Sequence, residues 1–112
     1  MTPEIRVPSL RKAYHDGNHT AFTDLVRFRG QYYLTFRNCP DGHMLFTSSR
    51  ILVLCSDDRQ SWREVCAFNV PKRDVRDPHF LVFQDRLWVL SGTWLVDPVD
   101  SRNRSLNDHQ GY

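Results

Sequence analysis

The feature that most constrains this chain is a repeat. Asp24-Leu25-Val26-Arg27-Phe28-Arg29-Gly30-Gln31-Tyr32-Tyr33-Leu34 reads as strand, tight turn, strand. Asp77-Pro78-His79-Phe80-Leu81-Val82-Phe83-Gln84-Asp85-Arg86-Leu87-Trp88-Val89-Leu90 reads the same way about 53–55 residues later. Each copy opens on an aspartate, runs through apolar residues to a polar turn and resumes on a large aromatic. Two further strand-like runs lie between the copies, near Arg50–Cys55 and Trp62–Phe68. Val, Ile, Leu, Phe, Tyr and Trp dominate all these runs, as strands prefer, and no segment keeps a helical period. The chain is predicted to be all-β.

A repeat of roughly 40–50 residues with several short strands per unit is the signature of propeller blades. The 112 residues cover about two such units, whereas a propeller closes its ring with about 4–8. The expected organisation is a partial β-propeller of antiparallel hairpins across 1–112. A first repeat would span about 14–70 and the start of the next about 71–112. The segment from Asp97 to Tyr112 is rich in Asp, Asn, Arg and Ser and is expected to add no closing strand. The remaining blades would then be the first partner this chain needs. A free-standing small β domain is the competing organisation.

Between the two middle strands lies Cys55-Ser56-Asp57-Asp58-Arg59-Gln60-Ser61-Trp62. It resembles the Asp box of sialidase-type propellers, Ser-x-Asp-x-Gly-x-Thr/Ser-Trp. Asp57, Ser61 and Trp62 match, while Cys55 replaces the serine and Arg59 the glycine. The box is a structural turn: its aspartate accepts hydrogen bonds from the loop's own amides, and its tryptophan packs beneath.

The order of motifs extends the likeness. His19-Thr20-Ala21-Phe22-Thr23-Asp24-Leu25, Tyr32-Tyr33-Leu34-Thr35-Phe36-Arg37, Arg50-Ile51-Leu52-Val53-Leu54, the degenerate box and Arg76-Asp77-Pro78 follow one another as in bacterial sialidase-like (exo-α-sialidase, BNR-repeat) proteins. That resemblance covers roughly residues 14–93. It implies a six-bladed propeller in the complete protein, with a glycan cleft at the centre of one face, and a glycoside hydrolase inactive as this piece alone. The alternative is a propeller that binds glycan or protein without chemistry. A five-bladed hydrolase is a related possibility.

The family grips a sialic acid carboxylate with three arginines, one from an Arg-Ile-Pro motif on the first strand, because a guanidinium fork meets a carboxylate in two parallel hydrogen bonds. Here strand alignment puts Ala21 at that arginine and Thr23 at that proline. Arg6-Val7-Pro8 resembles the motif but lies upstream. The family's Tyr–Glu nucleophile pair belongs to later blades.

Within the chain, Asp24 and Asp77 are the candidate acid/base groups, since each opens the innermost strand of a repeat. A general acid needs its pKa raised by burial or a like charge. Arg37 and Arg76 are candidates to bind an anionic sugar, and His19 to bond a hydroxyl. Against these stand plainer roles: turn caps for the aspartates, a surface strand end for Arg37, and an ion pair with Asp77 for Arg76. Asp41, before a glycine, suits a turn. Trp88, Tyr32 and Tyr33 suit sugar stacking or the core.

Composition adds exclusions. Fifteen Lys and Arg against 13 Asp and Glu are interspersed, so no basic stripe points to nucleic acid. The charged run Lys72–Asp77 mixes both signs and reads as a solvated loop. No apolar run approaches the ~20 residues of a membrane span, and the first residues lack a secretory core. If Met1 is the true start, a cytoplasmic product is expected. Cys39, Cys55 and Cys66 have neither metal-ligand spacing nor disulfide placement, so reduced thiols, no metal and no cofactor are expected.

Overall fold

The computed structural model describes residues 1–103, 105 and 108–112. Its strands are β1 (His19–Phe28), β2 (Gln31–Cys39), β3 (Arg50–Ser56), β4 (Arg63–Phe68), β5 (Arg73–Phe83), β6 (Arg86–Leu95) and β7 (His109–Gly111). They form a four-stranded sheet in the order β1-β2-β3-β4 and a three-stranded sheet in the order β5-β6-β7. Every pairing is antiparallel. Among the described residues the two sheets close neither a barrel nor a ring, and no helix is long and apolar enough to cross a membrane.

The two sheets begin as copies. Asp24 pairs with Thr35 and His79 with Leu90; Ala21 pairs with Arg37 and Arg76 with Gly92. A constant offset of 55 residues therefore superimposes β5–β6 on β1–β2. Both hairpins turn on two residues with positive φ, Arg29 (48°) with Gly30 (77°) and Gln84 (51°) with Asp85 (57°). That is the mirror-image turn whose twist matches the strands it joins. An ion pair of 2.8 Å between Arg29 and Asp85 ties the two tips together.

The β3–β4 turn is closed by Ser56 and Asp58, one residue on from the expected pair Cys55 and Asp57. Ser56 Oγ accepts from the amides of Asp58 (3.3 Å) and Arg59 (2.8 Å), and Asp58 Oδ1 from those of Gln60 (2.8 Å) and Ser61 (2.9 Å). The Ser61 and Gln60 amides hold the Asp58 carboxyl below the usual carboxylate range. Asp57 instead accepts from Gln31 Nε2 at 2.7 Å and faces Arg63. Arg59, in the glycine's place, takes the left-handed conformation glycine would supply (φ 63°). The tryptophan behaves as expected, since Trp62 packs on Phe36, Leu52 and Leu54 beside Tyr14 and Leu34.

The opposite face of the first sheet meets the second. Thr35, Arg37, Ile51, Val53 and Cys55 are all buried there, and β5 crosses β1, β2 and β3. This overturns the reading of Lys72–Asp77 as a solvated loop. Arg73 opens β5, and Asp74 and Val75 are fully buried. Asp74 is internal because it pairs with Arg76 and with Arg37 of β2, while Lys72 and Asp77 stay exposed. One further expectation changes. A strand, β7, does form within the polar tail. Cys39 and Cys55 are buried free thiols, whereas Cys66 is exposed on β4.

The outer face of the second sheet is uncovered. Leu81, Phe83, Trp88 and Leu90 lie on one face by register and alternation, each more than two-fifths exposed.

Candidate functional site

Both copies carry a bulge at the same point. The β1–β2 register slips between Ala21 and Asp24, and the β5–β6 register slips between Arg76 and His79. The 55-residue offset makes Phe22 the counterpart of Asp77, Thr23 of Pro78, and Asp24 of His79. Asp24 and Asp77 are therefore not equivalent. The first residue of each bulge is left-handed, Phe22 at φ 59° and Asp77 at φ 52°. Aspartate tolerates that region, whereas a bulky phenylalanine does so at a cost of about 1–3 kcal/mol. Bulges re-aim side chains and gather beside binding sites.

The two bulges touch. Asp24 Oδ2 accepts from the Phe80 amide at 2.8 Å, and its Oδ1 accepts from the Leu25 amide at 2.9 Å. His79 Nδ1 lies 3.9 Å from the same carboxylate. Asp24 thus acts, from within β1, as a bracket across the sheets and not as the cap of a strand-entry turn. Asp77 is exposed at the adjacent bend.

Behind the bulges sits a buried polar joint. Asp74, closed to solvent, takes Arg37 Nη2 on Oδ1 at 2.6 Å and Arg76 Nε on Oδ2. The Phe46 amide adds a third donor at 3.1 Å. Arg37 also donates to the carbonyls of Gly42 and Met44, both at 2.9 Å, and its side chain is 0% exposed. The strand-end surface position expected for Arg37 is thus replaced by a buried one, and its guanidinium orders the loop between β2 and β3. The competing Arg76–Asp77 ion pair is replaced by Arg76–Asp74, two residues apart on one face of β5.

In front of the joint lies an aromatic and cationic patch. The Arg76 guanidinium lies over the Phe22 ring at 5.6 Å and donates to the carbonyls of His43 and Met44, each at 3.1 Å. The His43 ring packs against Phe22 (5.5 Å) and His19 (5.1 Å). His19 Nδ1 is buried with no hydrogen-bond partner among the described residues. Burial, then the charges of His43, Arg37 and Arg76, hold the His19 pKa below its ordinary value. A guanidinium, two imidazoles and a phenyl ring together offer donors and an apolar face, the mixture that suits a polar ring with C–H faces or an anionic group.

The structure thus gathers His19, Arg37 and Arg76, with Asp24 and Asp77 at the adjoining bulges. Sequence reasoning missed Phe22, His43 and Asp74. Asp74 had a usable signal, since Asp74 and Arg76 alternate as strand neighbours do. Phe22 and His43 had none, because a bulge and a loop contact leave no periodicity. Tyr32 lies under Arg27 and Arg59, Tyr33 is half-buried, and Trp88 belongs to the exposed outer face. Asp41 accepts from Ser48 Oγ within its loop. Two cavities lie elsewhere, about 270 Å³ beside Tyr14, Leu34 and Phe36, and about 1010 Å³ beside Phe46, Lys72, Leu95 and Val99. Among the described residues no cluster of His, Cys, Asp and Glu has the makings of a metal site. No family model, curated protein or solved structure matches this chain.

Proposed function

We propose that this chain forms two blades of a sialidase-like β-propeller and supplies part of the glycan site of a hydrolase, binding sugar without turning it over alone. The supporting observation is the meeting of two bulges beside the His19–Phe22–His43–Arg76 patch, near the start of β1 and midway along β5, the strands that would line a propeller's centre. The register adds a detail in favour. Arg76-Asp77-Pro78 stands one repeat after Ala21-Phe22-Thr23, where strand alignment seeks the family's Arg-Ile-Pro. The arginine absent from the first unit is thus present in the second.

In this reading Arg76 and His43 hold the acidic or hydroxyl-rich sugar, Phe22 meets its apolar face and His19 bonds a hydroxyl. Arg37 acts from behind by holding Asp74, which holds Arg76. Asp77, exposed at its bend, is the better placed of the two acid/base candidates, because Asp24 is engaged by the Phe80 amide. That engagement favours the second reading, a propeller that binds glycan or protein without chemistry.

The test is binding and turnover over a panel of sialosides and neutral glycosides. Wild type should bind sialosides, Arg76→Lys should bind them at least about tenfold more weakly because an ammonium cannot hold Asp74 and the His43 and Met44 carbonyls and still donate to the sugar, and Phe22→Ala should weaken all sugars alike. Turnover is expected only with the remaining blades present. There, Asp77→Asn should slow it by about 10²–10⁴-fold. Binding without turnover in that assembly selects the non-catalytic propeller, and no binding by any form removes both.

A further inference from the structure

We infer that the joint between the sheets binds one small inorganic anion, a halide, between His19 Nδ1 and Arg37 Nε, and that a proton enters His19 with it. Among the described residues, His19 Nδ1 and Arg37 Nε are buried side-chain nitrogens without a hydrogen-bond partner. They belong to neighbouring positions. His19 pairs with Cys39 and Ala21 with Arg37, so His19 and Arg37 are diagonal neighbours on one face of the first sheet. Such neighbours lie about 7–8 Å apart, within reach of long side chains. The Arg37 charge acts on the His19 ring, as does that of Arg76. Arg37 Nε–H can only donate, and a protonated His19 donates from Nδ1. One acceptor between the two nitrogens satisfies both.

The charge of the joint decides what that acceptor is. Two guanidiniums, Arg37 and Arg76, share the single carboxylate of Asp74. The Arg37 and Asp74 side chains are closed to solvent, and Arg76 keeps only 11% of its side chain exposed. One positive charge is left in excess. Asp24 is engaged by the Leu25 and Phe80 amides and Asp41 by Ser48, while Asp77 is exposed at its bend. A buried, uncompensated charge is costly. Water could bridge the two nitrogens but would leave that charge in place, whereas an anion neutralises it. Both nitrogens are closed to solvent, which favours a halide over a bulkier oxyanion. Proton uptake follows from the same charges. His19 faces Cys39 and Arg37 of β2, Arg76 of β5 with Asp74 behind it, and His43 of the loop between β2 and β3. Burial, then His43, Arg37 and Arg76, hold its imidazole neutral, and a halide beside Nδ1 reverses that balance. Nε2 stays available to the hydroxyl of the proposed sugar, and the inference does not rest on that reading.

The experiment titrates the wild-type protein with bromide in place of gluconate, at constant ionic strength, and follows the His19 and His43 imidazole resonances. A saturable shift is expected, with an affinity that falls about tenfold per pH unit above the His19 pKa, because one proton enters with each ion. A crystal grown in bromide should place its anomalous peak between Arg37 Nε and His19 Nδ1. His19→Leu removes one donor and should weaken bromide at least about tenfold, read at His43. His19→Asn keeps a donor nitrogen without a titrating ring, so it should bind bromide with an affinity flat in pH. Should either variant fail to fold, the peak in the wild-type crystal still decides. No saturable shift, a pH-independent affinity in the wild type, full affinity in His19→Leu or a peak away from Arg37 would each overturn the proposal. So would an equal shift in gluconate, which would leave a water as the bridge.

Discussion

The two sheets share one backbone plan and differ in what covers it. In the first, β3 pairs with β2 along almost its whole length, and both faces of the pair are closed, one by β5 and one by Tyr14 and Trp62. In the second, β7 pairs with β6 only over Gly92–Trp94, extended by Tyr112 at Ser91, and the outer face keeps Leu81, Phe83, Trp88 and Leu90 in water. The same 55-residue unit is thus a covered layer in one case and one with an exposed outer face in the other. The difference teaches that a repeat fixes strand order and bulge position, while the burial of each copy is decided by what lies beside it. At the seam between them the contrast reverses: charges that would be solvated on a free sheet become the Arg37–Asp74–Arg76 joint.

Breaking that joint should have the largest effect. Asp74→Ala leaves the Arg37 guanidinium buried and unpaired, and should cost about 3–5 kcal/mol in denaturant unfolding. A loss below about 1 kcal/mol would mean that the sheets do not depend on the pair. Trp62→Ala acts on the first sheet alone and should cost about 3 kcal/mol, the low end for a large aromatic, because the ring is only partly buried. Sugar affinity should be unchanged, since the box turn is remote from the bulges. A stable variant with lost affinity would contradict both placements.

The smaller effects sharpen the comparison. Ser56→Ala removes the acceptor of two turn amides and should cost about 1–2 kcal/mol, whereas Asp57→Asn, on an exposed side chain, should stay within about 0.5 kcal/mol. The reverse ranking would restore Cys55 and Asp57 as the frame of the turn. The smallest effect is that of pH. The folded state holds His19 below its ordinary pKa, so the unfolded chain binds more protons and stability rises with pH. As pH falls below the ordinary histidine pKa of about 6.5 the melting temperature should drop, levelling once His19 is protonated in the folded protein. His19→Asn should flatten that slope.

Much of the architecture was legible in the chain because hairpins announce themselves locally. The turns at Arg29-Gly30 and Gln84-Asp85, the aromatic restart at Tyr32 and Trp88, and the β3–β4 pair follow from alternation and turn chemistry. What escaped depends on long-range partners. The start of β5 is masked by its charges, which only the distant Arg37 makes compatible with burial. The turn frame slipped by one residue, because two adjacent aspartates and a Cys-Ser pair fit the pattern in either register. The alignment of Asp24 with Asp77 failed because it matched two aspartates 53 residues apart, whereas the strand pairing keeps an offset of 55 on both sides of the bulges and makes His79 the counterpart of Asp24. Of the candidate site, Arg76 and His19 were legible as polar residues near strand ends. Phe22 and His43 were not, since a strained bulge and a loop contact belong to the fold.

The central claim is that the patch between the bulges receives sugar, and the imidazole resonances of His19 and His43 test it most directly. On titration of the wild-type protein with a sialoside, both rings and the Arg76 side chain should shift together along one saturable curve, with lactose giving a weaker response. Trp62, on the opposite face of the first sheet, should stay still. Unmoved histidines at saturating sialoside, or shifts confined to Trp88 and its neighbours on the outer face, would contradict the account.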